Sequence, residues 1–216
     1  MIVFTIVFGK LAKINSDGVP YAIFSYTALV PWTYFSGALT GASGSLLGAS
    51  GMMTKVYFPR LIIPMAPVMS KLIDFGIAFV ILLLMMAYFG FMPSIQIIYL
   101  PLLILIMMIT ASGMGMWLTA MAVKYRDINY AMSFFVQLLM YAAPVVYPAS
   151  IIPEPFRLIY GCFPMVGVIE GFRSILLKTN PMPWDLIGVG SIVACFLFIS
   201  GAFYFRRMEK YFADVA

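Results

Sequence analysis

The chain has 216 residues, 63% of them hydrophobic and 10% charged, with mean hydropathy +1.03, values that exclude a soluble globule. Its net charge of +5 is not gathered into any basic run dense enough for a nucleic-acid footprint. His is absent, and Cys162 and Cys195 form neither a disulfide framework nor a metal-ligand spacing, so the commonest general base and metal ligand are both missing.

Residues 1–9 are apolar but lack the basic n-region and the small-residue cleavage site of a secretory signal. Nine residues cannot cross a bilayer unaided. They read either as a short interfacial anchor or as the end of an earlier span. Beyond them, residues 18–54, 75–123, 128–153 and 186–205 carry no Asp, Glu, Lys or Arg. A helix rises about 1.5 Å per residue, so roughly 20 apolar residues cross a hydrocarbon core about 30 Å thick. The 49-residue window therefore holds two crossings, separated by the helix breakers Gly90 and Pro93. Lipid offers no water to exposed backbone, so each crossing must be a self-bonded helix. Spans are predicted at about 20–42, 66–89, 97–122, 130–148 and 186–205. The fold class is all-α integral membrane protein, with about six transmembrane helices, the first incomplete here, plus short outer re-entrant helices. Residues 1–216 form a single transmembrane domain, with 1–14 the remnant of the first span.

Orientation follows the basic residues. Lys55, Arg60, Lys124, Arg126, Arg206, Arg207 and Lys210 abut span ends on one side, assigned to the cytoplasm together with the C-terminus. The other side receives Lys10, Lys13, Arg157, Arg173 and Lys178, partly offset by Asp17, Glu154, Glu170 and Asp185.

Two stretches depart from plain spanning helices. Residues 37–51 are dense in small side chains, with Gly37/Gly41 and Gly44/Gly48 spaced to let helices approach closely. Residues 149–185, on the outer side, are cut by Pro153, Pro155, Pro164, Pro181 and Pro183 into pieces too short to cross. Either a re-entrant hairpin covered by protein or an amphipathic pair lying flat on the outer surface satisfies that pattern.

Charges at membrane depth are costly unless paired or facing a protein-lined space. Lys71 and Asp74 stand i,i+3 in the second predicted span, and Glu170 and Arg173 repeat that spacing in the outer segment. Lys124, Arg126 and Asp127 fill a short cytoplasmic turn, either a topology signal or a docking surface. Lys55, Val56, Tyr57, Phe58, Pro59 and Arg60 place aromatics between cations ahead of Pro64. The segment reads either as a snorkelling interfacial linker or as a lever on which a soluble partner could push. No G-x-x-x-x-G-K-[ST] loop is present, so ATP-driven work would need a second chain.

Taken in order, Pro20-Tyr21, Leu29-Val30-Pro31-Trp32, the Lys55 to Arg60 segment, Lys124-Tyr125-Arg126-Asp127 and Ser133-Phe134-Phe135-Val136-Gln137 make an extended signature. Ala143-Pro144-Val145-Val146-Tyr147-Pro148, Ile169-Glu170-Gly171-Phe172-Arg173 and Tyr204-Phe205-Arg206-Arg207-Met208-Glu209 complete it. Over essentially the whole chain this resembles the membrane subunit of type-2 ABC exporters for polysaccharides, O-antigen and polyol phosphates. The resemblance implies six membrane helices, a homodimer in the bacterial inner membrane, and two copies of a nucleotide-binding ATPase subunit that alone uses ATP. It implies a conduit for a lipid-linked glycan and no cofactor bound by this chain. By that analogy the Lys55 to Arg60 segment couples to the ATPase, and Trp32, Tyr34, Phe35, Tyr141 and Tyr147 are channel-lining candidates; a lipid-facing aromatic belt is their alternative.

The function expected is ATP-driven export of a lipid-linked polysaccharide without covalent chemistry in this subunit. The alternatives are a lipid, drug or teichoic-acid exporter of the same class and, less in keeping with the missing His and scattered carboxylates, a membrane-embedded transferase acting on lipid-linked sugars.

Overall fold

The computed structural model describes residues 18–49, 59–125 and 127–212. The expectations placed on residues 1–14 and on Lys55, Val56, Tyr57, Phe58 and Arg126 lie outside these. Among the described residues there are seven α-helices: α1 (Tyr21–Gly48), α2 (Ile62–Phe89), α3 (Leu100–Lys124), α4 (Asp127–Ala142), α5 (Glu154–Gly161), α6 (Pro164–Leu177) and α7 (Trp184–Phe212). Short 3-10 turns at Ile95–Tyr99 and Ala149–Ile151 precede α3 and α5.

Three of these pieces, α2, the 3-10 turn continued by α3, and most of α7, are long and apolar enough to span a membrane. The break between the first two falls where Gly and Pro place it. Gly90 takes the left-handed conformation (φ 75°), its N–H reaching the Ala87 carbonyl, while the Phe91 N–H bonds the Met86 carbonyl at 2.9 Å. This closes the helix end with its last carbonyls satisfied. After Pro93, Ser94 donates its backbone N–H to the Ile175 carbonyl at 2.8 Å, tying the turn to α6.

Helix α1 is the hub, packing against α2, α3, α4 and α6. Its 28 residues extend roughly 42 Å, and it is enclosed on most sides, with Ile23, Phe24, Ala28, Phe35, Ala38, Leu39 and Ala42 fully buried. The small residues do admit close neighbours. A Cβ on Gly41 would stand 3.0 Å from Pro67, and one on Gly37 would stand 3.4 Å from the aliphatic stem of Lys71; Gly48 faces open space. The tightest approach lies elsewhere, between α3 and α7. A Cβ on Gly113 would fall 2.6 Å from the Leu197 backbone, and one on Gly201 2.5 Å from the Gly113 carbonyl oxygen. Trp117 stacks on Tyr204 at 4.2 Å beside this seam and donates Nε1–H to Ser200 at 3.1 Å.

The span expected over 130–148 ends early. Helix α4 has 16 residues and stops at Ala142, because Pro144 supplies no N–H and disfavours helical backbone at Ala143. At about 24 Å it is short for a crossing on its own.

In the outer segment α5 and α6 meet at a 108° bend around Cys162 and Phe163. Every residue of α6 is buried by protein, whereas α5 leaves Phe156, Leu158 and Ile159 exposed. Phe163 at the bend packs edge-on against Phe35, in the middle of α1. Both limbs return to the outer end: Arg157 of α5 pairs with Asp185 at the start of α7 (2.9 Å), and Ser174 of α6 bonds the Asn180 carbonyl (2.8 Å). The two pieces form a bent pair in which α6 is enclosed by protein and α5 is not.

Candidate functional site

At one end of the bundle, Arg60 precedes α2 and reaches the far end of α7. Its Nη1 donates to the Glu209 carbonyl at 2.9 Å, and its Nε lies 3.9 Å from the Glu209 carboxylate. A cation is thereby held at a helix C-terminus, where the dipole favours it. Pro59 is exposed beside it. Lys124 ends α3 with its ammonium 5.3 Å from the Tyr125 ring, and Asp127 opens α4 in the first turn, where the dipole favours an acid.

Of the aromatics named from sequence, those on α1 face inward. Trp32, Tyr34 and Phe35 are 4%, 2% and 0% exposed. Tyr34 donates to the Val68 carbonyl at 3.1 Å and meets Phe75 edge-on, while Trp32 packs on Phe35. In this protomer they cement α1 to α2 and α6 and present no open face. The face of α1 left uncovered is different in kind. It runs through Tyr26, Leu29, Thr33, Ser36, Gly37, Thr40 and Gly44, a stripe at helical spacing. Thr33, Ser36 and Thr40 each donate back to their own helix, to the carbonyls of Val30 (3.0 Å), Thr33 (3.2 Å) and Ser36 (2.9 Å). Their donors are thus satisfied and their lone pairs face outward.

Lys71 borders this stripe, its stem lying over Gly37. Its Nζ bonds Asp74 Oδ2 at 2.8 Å, yet the two side chains are 41% and 64% exposed. The pair lies nine and twelve residues into α2, roughly 14–18 Å along its axis from Ile62. Ser70 is exposed beside it. Elsewhere the exposed surfaces of α2 and α7 consist of large apolar residues such as Ile77, Leu84, Ile192, Phe196 and Phe203, a surface suited to lipid. Sequence reasoning passed over Thr33, Ser36, Thr40 and Ser70; the i, i+3, i+7 recurrence of hydroxyls along α1 was the readable signal.

The second charge pair, on α6, is deeply enclosed. Arg173 Nη1 bonds Glu170 Oε1 at 2.7 Å, with the side chains 1% and 8% exposed. Arg173 also donates to the carbonyls of Tyr147 (3.2 Å) and Val145 (3.0 Å), and its guanidinium lies 3.7 Å from the Phe24 ring centroid. The Ala149 N–H reaches the same Glu170 oxygen at 3.2 Å, and Tyr21 donates its hydroxyl to the Val146 carbonyl at 3.0 Å. The turn after α4, whose backbone Pro144 and Pro148 leave irregular, is thereby stapled to α6 and α1. Tyr147 belongs to this knot, its hydroxyl donating to the Tyr141 carbonyl at 2.9 Å and lying 3.1 Å from that of Tyr160, whereas the ring of Tyr141 is 57% exposed.

The sequence profile of the ABC-2 type transporter family matches residues 1–177, and the chain belongs to that family. Permeases of this family are non-catalytic multi-pass subunits, typically of the cytoplasmic membrane; they bind no cofactor themselves and pair with ATPase subunits. Among curated proteins, the chain is 24% identical over 214 residues to the O-antigen export system permease protein RfbA of Myxococcus xanthus, covering 98% of this chain and 82% of that one. Two RfbA permeases of Klebsiella pneumoniae are also 24% identical, over 196 residues, covering 90% of this chain and 75% of theirs.

Proposed function

We propose that this chain is the membrane subunit of an ATP-driven exporter that moves a lipid-linked, O-antigen-like polysaccharide across the bacterial cytoplasmic membrane. It works as a homodimer with two ATPase subunits, and the uncovered stripe of α1 with Ser70, Lys71 and Asp74 of α2 faces the conduit. One observation carries this reading: an ion pair and a row of hydroxyls stand open at a depth where charge in lipid is costly. A water-filled or glycan-filled space beside the open Lys71–Asp74 pair would remove that cost. A polymer with many hydroxyls needs such a space, since each unpaired polar group in hydrocarbon costs several kcal/mol. Hydroxyls and glycines along the path give weak, repeated contacts, so the polymer slides without lodging. The names of the RfbA relatives point to the same cargo.

Coupling would enter through the segment from Lys55 to Arg60 and through the turn of Lys124, Arg126 and Asp127. Arg60 links the start of α2 to the end of α7, so a push there would tilt two helices together. Tyr141, the open ring on α4, remains a conduit candidate; Trp32, Tyr34, Phe35 and Tyr147 would shape the path from behind.

The test is cysteine accessibility during export, in a chain whose exposed Cys162 and Cys195 are replaced by Ser. Cysteines at Thr33, Thr40 and Ser70 should react with a membrane-impermeant maleimide and be protected while glycan is in transit. Cysteines at Ile77 and Leu84 should not react. Unreactive cysteines at all three polar positions would refute the placement. Transport that continues in cells lacking the glycan would refute the cargo and favour a lipid or drug exporter.

A further inference from the structure

At the outer end the hairpin, the start of α7 and the turn after α4 enclose a cavity of about 230 Å³ whose walls include Ser150, Arg157, Glu170, Asn180, Pro181 and Pro183. We propose that this cavity is a subsite for one uncharged pyranose ring, where the outgoing glycan first rests after leaving the membrane. The proposal deepens the export reading and rests on it.

Charge balance selects the ligand class. The walls carry one carboxylate and one guanidinium, each already paired: Glu170 with Arg173 at 2.7 Å and Arg157 with Asp185 at 2.9 Å. An anion meets the Glu170 carboxylate, and a cation meets the Arg157 guanidinium. Neither finds a net field to hold it. What the walls offer is a mixture of hydrogen-bonding edges: carboxylate, guanidinium, amide and hydroxyl. Sugar hydroxyls donate and accept at once, and planar carboxylate and amide groups suit neighbouring hydroxyls on one ring. The space is that of a small polar ligand on the scale of a single sugar ring.

The site is also built before anything enters it. Both hydrogen bonds given to Glu170 fall on Oε1, from Arg173 and from the Ala149 N–H, so Oε2 is the oxygen without either. Arg173 in turn is fixed by two carbonyls and the Phe24 ring. Pro181 and Pro183 stiffen the opposite wall. A carboxylate clamped in one orientation loses little freedom when a ligand arrives, which favours weak but selective binding.

The test uses the complete transporter, this chain with its ATPase subunit, in lipid nanodiscs. The probes are the methyl α-glycosides of D-glucose, D-mannose and D-galactose, read by saturation-transfer NMR. At least one should receive saturation on its ring protons, and D-mannitol, an open-chain polyol, should not. Ser150→Trp, which fills the space, should abolish the signal, and Asn180→Ala should weaken binding about tenfold, the scale of one well-made hydrogen bond. Retained size-exclusion profile and melting temperature would show both variants folded. A transporter that exports glycan but responds to none of the three glycosides overturns the subsite and leaves the export reading intact. An equal response to mannitol, or an undiminished one in a folded Ser150→Trp variant, also overturns it. Transport persisting in glycan-deficient cells overturns the export reading instead, whatever the glycosides do.

Discussion

Arg173 and Glu170, one helical turn apart on α6, form an ion pair at 2.7 Å that is almost wholly removed from solvent and also holds the backbone of Val145, Tyr147 and Ala149. Removing one partner of such a pair leaves the other charge buried and unpaired, at a cost of about 3–5 kcal/mol. Arg173→Ala should therefore lower the melting temperature of the purified protein sharply. Glu170→Gln, which keeps an acceptor for the Ala149 N–H, should do less harm. The double variant Glu170→Met/Arg173→Met should recover part of the loss. Equal melting temperatures for wild type and Arg173→Ala would show the pair to be dispensable.

The seam between α3 and α7 leaves no room for a methyl group at Gly113 or Gly201. Overpacking of this kind costs about 1–3 kcal/mol. Gly113→Ala and Gly201→Ala should each destabilise the protein by that order. Gly188→Ala on the same α7, with nothing within 4 Å of the added carbon, should be neutral or mildly stabilising. Thermal unfolding in one detergent would rank the three.

Asp74→Asn leaves Lys71 uncompensated beside the proposed conduit, and Lys71→Met does the converse. Each should cut export severely while the melting temperature changes little, since a pair this exposed contributes at most about 1 kcal/mol. The charge swap Lys71→Asp/Asp74→Lys should restore part of the transport. Export of labelled glycan into the periplasm is the measurement, and a swap no better than either single variant would argue against a paired role.

Arg60→Ala removes the contact with the Glu209 carbonyl and its carboxylate. The pair is part-exposed, so stability should fall by no more than about 1 kcal/mol. Stimulation of the partner's ATP hydrolysis by glycan should nevertheless decline, because the tie between α2 and α7 is lost. Unchanged stimulation in a folded variant would remove Arg60 from the coupling path.

The charge-free run over 75–123 announced two crossings because lipid permits no other structure, and Gly90 and Pro93 marked their boundary within a few residues. The prolines of residues 149–185 likewise foretold two short helices, and i,i+3 spacing foretold both charge pairs. The inward direction of Trp32, Tyr34 and Phe35 was not legible. On α1 the hydroxyls of Thr33, Ser36 and Thr40 mark one face, but the apolar residues of the remaining faces do not say which of them meets protein. Alternation separates oil from water, but it does not separate lipid from a neighbouring helix. The early stop of α4 was written in Pro144 and was outweighed by the absence of charge up to Pro153. The contact between Gly113 and Gly201 joins residues 88 positions apart, and no local spacing reveals such a meeting.

Where two main chains touch, no rotamer change can absorb a slide. The Gly113–Gly201 seam therefore binds α3 and α7 into a single stiff pillar.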